Sequence, residues 1–201
     1  LRYNGNIVYN PIKDLTLSAV FSYIRDNMNR GYGETLSHIS ALRDGLAGWS
    51  SVGAYTKMEK LMELTAQYNK EIGAHKFSVL GGYSYNETDF EELWIDNYGF
   101  QDDYFGGWHN IGIGSALKDG KANIGSKKTP TNLIGFFGRA TYSFKNRYLL
   151  MGALRYEGAS QLWGTDNAWG LFPSVSVGWR ITEEAFMKNQ KIFDDLKLRV
   201  G

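Results

Sequence analysis

Cysteine is absent from the 201 residues, which excludes disulfides and thiolate metal sites. It does not fix a compartment. Proline is scarce, at three. Long apolar runs are missing, and the mean hydropathy is −0.36. That excludes a transmembrane helix. It leaves a transmembrane barrel open, because barrel strands alternate and average out to polar. No charge of one sign dominates: Lys+Arg 22 against Asp+Glu 21, mixed along the chain, leave a net charge of +1. Without a basic stripe there is no case for nucleic acid. A basic-then-apolar leader is also missing. The chain opens on Leu1 and stops at Gly201 inside LKLRVG. Both ends read as cut, so the expectation is a piece of a longer protein, with any signal peptide outside it.

What is abundant is aromatic and small. Tyr 13, Phe 11 and Trp 6 accompany Gly 24. Aromatic and glycine excess with little proline suits a β-rich chain. Alternation supplies the strands. Ile134, Phe136, Gly138, Ala140, Tyr142 and Phe144 share one face, and Tyr148, Leu150, Gly152, Leu154 and Tyr156 continue it beyond Lys145-Asn146-Arg147. Leu171, Pro173, Val175, Val177 and Trp179 add a third strand. The same reading places strands over about 1–10, 15–25, 60–69, 76–86, 133–144, 148–157, 169–181 and 196–201. The stretch 58–73 also fits a helix, but the neighbouring turn at Gly73 and the strand after it favour a strand. Short helices are expected near 35–42 and, capped by Thr182-Glu183-Glu184, through Met187.

Each strand is near the roughly 9–11 residues that cross a bilayer when tilted. Short turns near 10–14, 69–75, 145–147 and 182–195 alternate with long outer loops at 26–57, 87–132 and 158–168. Tyr9, Tyr68, Phe77, Tyr142, Phe144, Tyr148 and Trp179 sit at the strand ends of the short-turn rim. Rim asymmetry with an aromatic girdle is the pattern of an outer-membrane barrel. The fold class expected is therefore all-β, an antiparallel transmembrane β-barrel. The rival is a soluble β-sandwich, which alternates too. Against it stand the rim asymmetry and an opposite face rich in Ser, Thr, Asn and Gln.

Little in the chain suggests catalysis or metal binding. His38, His75 and His109 match no ligand spacing. GIGSALKDGK at 112–121 resembles a phosphate loop but lacks the GK[ST] ending. No local signature of a Ser-His-Asp set is present. No enzyme activity, cofactor or metal is expected. Arg139, Arg155, Glu157 and Arg180 lie on the inward face. They serve either contact with a mobile plug or solute, or a static ladder of salt bridges. In the loop 87–132, Trp94, Tyr98, Phe100, Tyr104, Phe105 and Trp108 interleave with Asp96, Asp102 and Asp103. Flat rings stack on apolar sugar faces or side chains, and carboxylates accept hydroxyl or amide protons. Trp94, Asp96, Tyr98, Asp102, Asp103, Tyr104 and Trp108 are thus candidates for contact with a solute. Packing against a covering protein or neighbouring loops is the other reading.

The run FFGRATYSFKNRYLLMGALRYEGAS, then WGLFPSVSVGWRITEEAFMKN, then DDLKLRVG resembles the SusC/RagA-like TonB-linked outer-membrane transporters. The shared pieces are Gly138-Arg139, Asn146-Arg147-Tyr148, Arg155 to Ser160, Trp169 to Ser174, Gly178 to Arg180, Glu183 to Met187 and Leu196 to Arg199. The close match covers about 133–201. Glu157 stands where Asp is usual, and Ala159 where Ser is common. The resemblance implies a barrel of about 22 strands around an N-terminal plug, with plug and TonB-contacting segment outside this sequence. It also implies energy supplied through a TonB complex, a SusD-like surface lipoprotein as lid, and import of a glycan or peptide fragment. A passive porin or small structural barrel, and an outer-membrane enzyme, are the rival functions.

Overall fold

A computed structural model describes residues 1–39, 45–103, 107–190 and 192–201. It contains eight strands: β1 (Arg2–Ile12), β2 (Leu15–Glu34), β3 (Trp49–Ile72), β4 (His75–Tyr98), β5 (Asn123–Phe144), β6 (Tyr148–Ala159), β7 (Trp169–Arg180) and β8 (Lys197–Val200). They form one sheet in chain order, β1 to β8. β1 and β8 are its edges. Each presents an unpaired row of backbone groups that needs a further strand.

Three tight turns join hairpins. β1 meets β2 at Lys13-Asp14, β3 meets β4 at Gly73-Ala74, and β5 meets β6 through Lys145 to Arg147. Lys145 and Asn146 have φ of 52° and 56°, and Arg147 N donates to Phe144 O at 3.0 Å. Two successive left-handed residues match the right-handed twist of the flanking strands.

The register shows why one face reads as apolar. Tyr142 pairs with Leu150, which pairs with Val177. The next rows are Ala140–Gly152–Val175, Gly138–Leu154–Pro173 and Phe136–Tyr156–Leu171. Val175 is 64% exposed and Val177 55%. An apolar face this continuous, uncovered by protein, is a lipid face. The opposite face is more mixed than the sequence suggests. Leu149 and Met151 lie between Ser143 and Thr141 on one side and Gly178 and Ser176 on the other. Its polar character is clear on the first hairpin, where Thr16, Ser18 and Ser22 donate to Asn10, Asn6 and Asn4 at 2.8, 3.3 and 2.8 Å.

Two of the expected long loops are about half strand. β2 runs on to Glu34 and β3 begins at Trp49, so 26–57 shrinks to a connection at 35–48. β4 runs on to Tyr98 and β5 begins at Asn123, so 87–132 shrinks to 99–122. Alternation fades because these strand ends need no apolar face. They are held instead by polar cross-strand pairs: Thr56 donates to Asn27 at 3.0 Å, and Lys128 lies 3.0 Å from Asp89. Strands of 20 to 24 residues exceed the bilayer length about twofold. The stretch 58–73 is strand, within β3. Leu36 and Ser37 form a turn, and 40–42 of the helix expected there lie outside the described residues. The second expected helix is two 3-10 turns, Ile181–Glu183 and Ala185–Met187.

The chain forms two compact units. One comprises Leu1–Arg2, Ile24–Glu59 and Thr88–Pro130; the other comprises Tyr3–Tyr23, Lys60–Glu87 and Thr131–Gly201. The second holds the apolar wall. The first holds a small core of its own, with Asn97, Ala116, Ser50 and Phe100 at 0, 1, 2 and 8% exposure.

Candidate functional site

The described residues of the connection after β4, 99–103 and 107–122, form a packed cap. Asn97, at the end of β4, is its clasp. Its Nδ2 donates to Ile111 O at 2.7 Å and Gly114 O at 3.0 Å. Its Oδ1 accepts from Tyr98 N at 2.9 Å. A buried amide must satisfy its polar atoms, so these three bonds fix the cap's path. Trp108 closes the other side. Its ring lies so near Gly31 of β2 that a Cβ there would stand 2.2 Å from it. Asp103 Oδ1 accepts from Leu36 N at 2.9 Å, tying the 35–48 connection to the cap.

The sequence candidates divide between two places. Asp102, Asp103 and Trp108 come together on a cavity of about 80 Å³, with Glu34, Ser50 and Phe100 also lining it. At about 30 Å³ per water, that space suits a few waters. Trp108 keeps 37% of its surface exposed. Trp94, Asp96 and Tyr98 are on β4, not in a loop as expected. The Trp94 ring covers Gly125 of β5, where a Cβ would be 2.2 Å away. Asp96 accepts from Asn123 Nδ2 at 2.9 Å. Tyr98 stacks with Trp49, centroids 6.4 Å apart, and Trp49 meets Tyr32 at 5.2 Å. Tyr104, and Phe105 beside it, lie outside the described residues. Tyr32, Trp49 and Asn97 are the participants that sequence reasoning missed. Only the aromatic bias of the two connections hinted at the first two.

On the inward face, Arg155 and Glu157 form a two-point pair, Nε to Oε2 at 2.7 Å and Nη2 to Oε1 at 2.8 Å. The guanidinium also lies 5.7 Å from the Phe137 ring centroid. Arg180 Nε is 3.6 Å from Asp195, a charge contact without a hydrogen bond. Arg139 has no carboxylate partner among the described residues.

At the short-turn rim, Glu184 gathers three donors. Tyr148 Oη and Trp179 Nε1 donate to Oε1 at 2.7 and 3.2 Å, and Arg147 Nη1 to Oε2 at 3.0 Å. These bonds, Tyr148's first and Trp179's second, hold the Glu184 carboxyl below the usual carboxylate range, with the Arg147 charge adding to them.

An antiparallel meander with tight turns, an uncovered apolar face and a wetter opposite face has the form of a section of outer-membrane β-barrel wall. The chain belongs to the family described as TonB dependent receptor-like, beta-barrel, whose model matches residues 1–201. It is 32% identical over 197 residues to TonB-dependent receptor P26 of Formosa agariphila, covering 97% of this chain and 19% of that protein. It is 34% identical over 155 residues to TonB-dependent receptor SusC of Bacteroides thetaiotaomicron, covering 77% of this chain and 14% of the relative. Its fold matches the structure of the RagAB peptide transporter with a TM-score of 0.73 at 23% identity, over 98% of this chain and 21% of that one. The chain thus spans about a fifth or less of the proteins it resembles. It is part of an outer-membrane protein of a receptor family.

Proposed function

We propose that the whole protein imports a nutrient, an oligosaccharide or a peptide, across the outer membrane. Energy arrives from a TonB complex through segments outside this chain, and a SusD-like lipoprotein closes the outer mouth. The observation that carries this reading is the match to the receptor family across all 201 residues, together with the likeness to SusC. The fold likeness to a peptide transporter supports the same class of task.

In this reading the described chain makes no bond and breaks none. Its wall shapes the conduit, and the inward Arg139, Arg155, Glu157 and Arg180 face the plug. Trp108, Asp102 and Asp103 offer a ring and carboxylates for a solute or the lid, and Trp94, Asp96 and Tyr98 on β4 offer a second set; Tyr104 remains a candidate from sequence alone. The test is purification of the full-length protein from its native membrane, with mass spectrometry of what accompanies it. A surface lipoprotein and a bound oligosaccharide or peptide are expected, together with uptake that stops when TonB is lost. A barrel that purifies alone and takes up solute without TonB overturns the proposal.

A further inference from the structure

The short-turn rim carries an aromatic cluster with two nitrogen groups on it. His75 begins β4, and its Nδ1 lies 2.8 Å from the Tyr142 hydroxyl. The His75 ring stacks on Phe77 at 6.3 Å and meets Phe144 at 4.8 Å. Lys145 Nζ stands 5.2 Å from the centroid of that same Phe144 ring. Phe144 therefore serves as a platform for both His75 and Lys145. Tyr142 and Phe144 belong to the lipid face, as does Leu150, which is paired with Tyr142 and in turn with Val177.

Three of the other cations around these turns have acids, and Lys13, which like Lys145 has no acid among the described residues, stands over no aromatic ring among them. Lys70 is paired with Asp14, Lys76 with Glu71 at 3.2 Å, and Arg147 with Glu184 at 3.0 Å. Lys145 has none among the described residues, and Asp14, Glu71 and Glu184 are already engaged. A cation left without a counterion at the edge of an apolar face invites an anion that carries its own apolar part.

We propose that His75, Tyr142 and Lys145 form a binding site for the phosphate of an anionic glycerophospholipid. Its acyl chains lie along Leu150 and Val177. Lys145 supplies the charge. When His75 Nδ1 accepts the Tyr142 proton, His75 Nε2 carries an N–H that can donate to a phosphate oxygen. A zwitterionic headgroup fits less well, because Asp14, Glu71 and Glu184 are already held by cations of the chain and Lys145 answers only the phosphate.

The test uses the delipidated full-length protein in detergent, titrated with phosphatidylglycerol or with phosphatidylcholine of the same acyl chains, and bound lipid counted by native mass spectrometry. Lys145→Asn suits the left-handed backbone at that position and should weaken phosphatidylglycerol binding about fivefold, down to the level of phosphatidylcholine. His75→Phe keeps the ring stack but removes the N–H, and should lower binding in the same direction. Lys13→Asn, in the β1–β2 turn, is the control and should leave binding unchanged. The shift in gel mobility on heating reports that each variant is folded; should Lys145→Asn fail it, His75→Phe decides. Inorganic phosphate at millimolar concentration should not displace the lipid. Equal binding of the two lipids, an equal loss in Lys13→Asn, undiminished binding in the folded rim variants, or displacement by phosphate overturns the proposal.

Discussion

Tyr148 donates to Glu184 at 2.7 Å across 36 positions of sequence. Three pieces of the transporter-like motif converge there: Arg147 and Tyr148 from the turn, Trp179 from Gly-Trp-Arg, and Glu184 from the acidic stretch. The carboxylate ties the β5–β6 turn to the segment after β7. Glu184→Gln keeps the shape but removes the charge facing Arg147. It should lower the thermal midpoint of the folded full-length protein by a few degrees, read as loss of the heat-modifiable gel band. Glu184→Ala should lower it further, because Trp179 and Tyr148 then lose their acceptor as well.

The same carboxylate gives a pH dependence of known sign. Its folded pKa lies below its ordinary value of 4.5. Folding therefore favours the ionised form, and that contribution is fully present above pH 4.5. It is lost as pH falls through the lower folded value. The difference in midpoint between the native protein and Glu184→Gln should hold steady from pH 7 to about pH 5 and shrink below 4.5. A difference that grows with acidity would contradict the assignment.

The wall was legible because lipid imposes alternation. Each apolar residue from Phe136 to Phe144 has its β6 partner on the same face, so a period of two was enough to find it. The length of β2 to β5 was not legible, since strands such as Thr88 to Tyr98 carry Asp89, Glu91 and Asp96 in cross-strand bonds with no apolar face to reveal them. Asn97 was hidden for a related reason. Its role depends on Ile111 and Gly114, which local sequence does not place beside it. The candidate rings and acids of the cap were visible as a composition, but their partners Gly31, Leu36 and Gly125 came only from folding.

Asn97→Ala takes the clasp from the buried Gly114 carbonyl and the part-buried Ile111 carbonyl, and removes the side-chain oxygen from Tyr98 N. The cost should be about 1–3 kcal/mol, confined to the cap. Limited proteolysis of the full-length protein should show new cleavage within 107–118, while barrel assembly by gel mobility stays unchanged. Asn97→Asp places a carboxylate against two carbonyl oxygens and should open the cap at least as much. Protection equal to that of the native protein in both variants would remove the clasp.

Gly31 leaves room for the Trp108 ring and nothing more. Gly31→Val should displace the indole, with overpacking of about 1–3 kcal/mol and a red shift of tryptophan emission. Trp108→Ala in the same background should relieve the clash. The pair also separates roles for Trp108: if the ring only packs, Trp108→Ala alone should leave substrate uptake and lipoprotein recovery intact, whereas a contact residue should reduce one of them.

Arg155 and Arg139 share the inward face but not the same circumstances. The charge of Arg155 is answered within the wall by Glu157 through two parallel bonds, a geometry that lysine cannot reproduce. Arg155→Lys should therefore lower the yield of heat-modifiable barrel, and the folded fraction should transport normally. Arg139 has no carboxylate partner among the described residues, and under the proposed import its charge faces the plug or the solute. Arg139→Ala should leave assembly unchanged and alter uptake by the full-length protein, with Arg139→Lys restoring most of it if charge is what matters. Measuring folded yield and uptake on the same preparations distinguishes a structural arginine from one that faces the moving part. Loss of assembly in Arg139→Ala would make it part of the wall's own ladder.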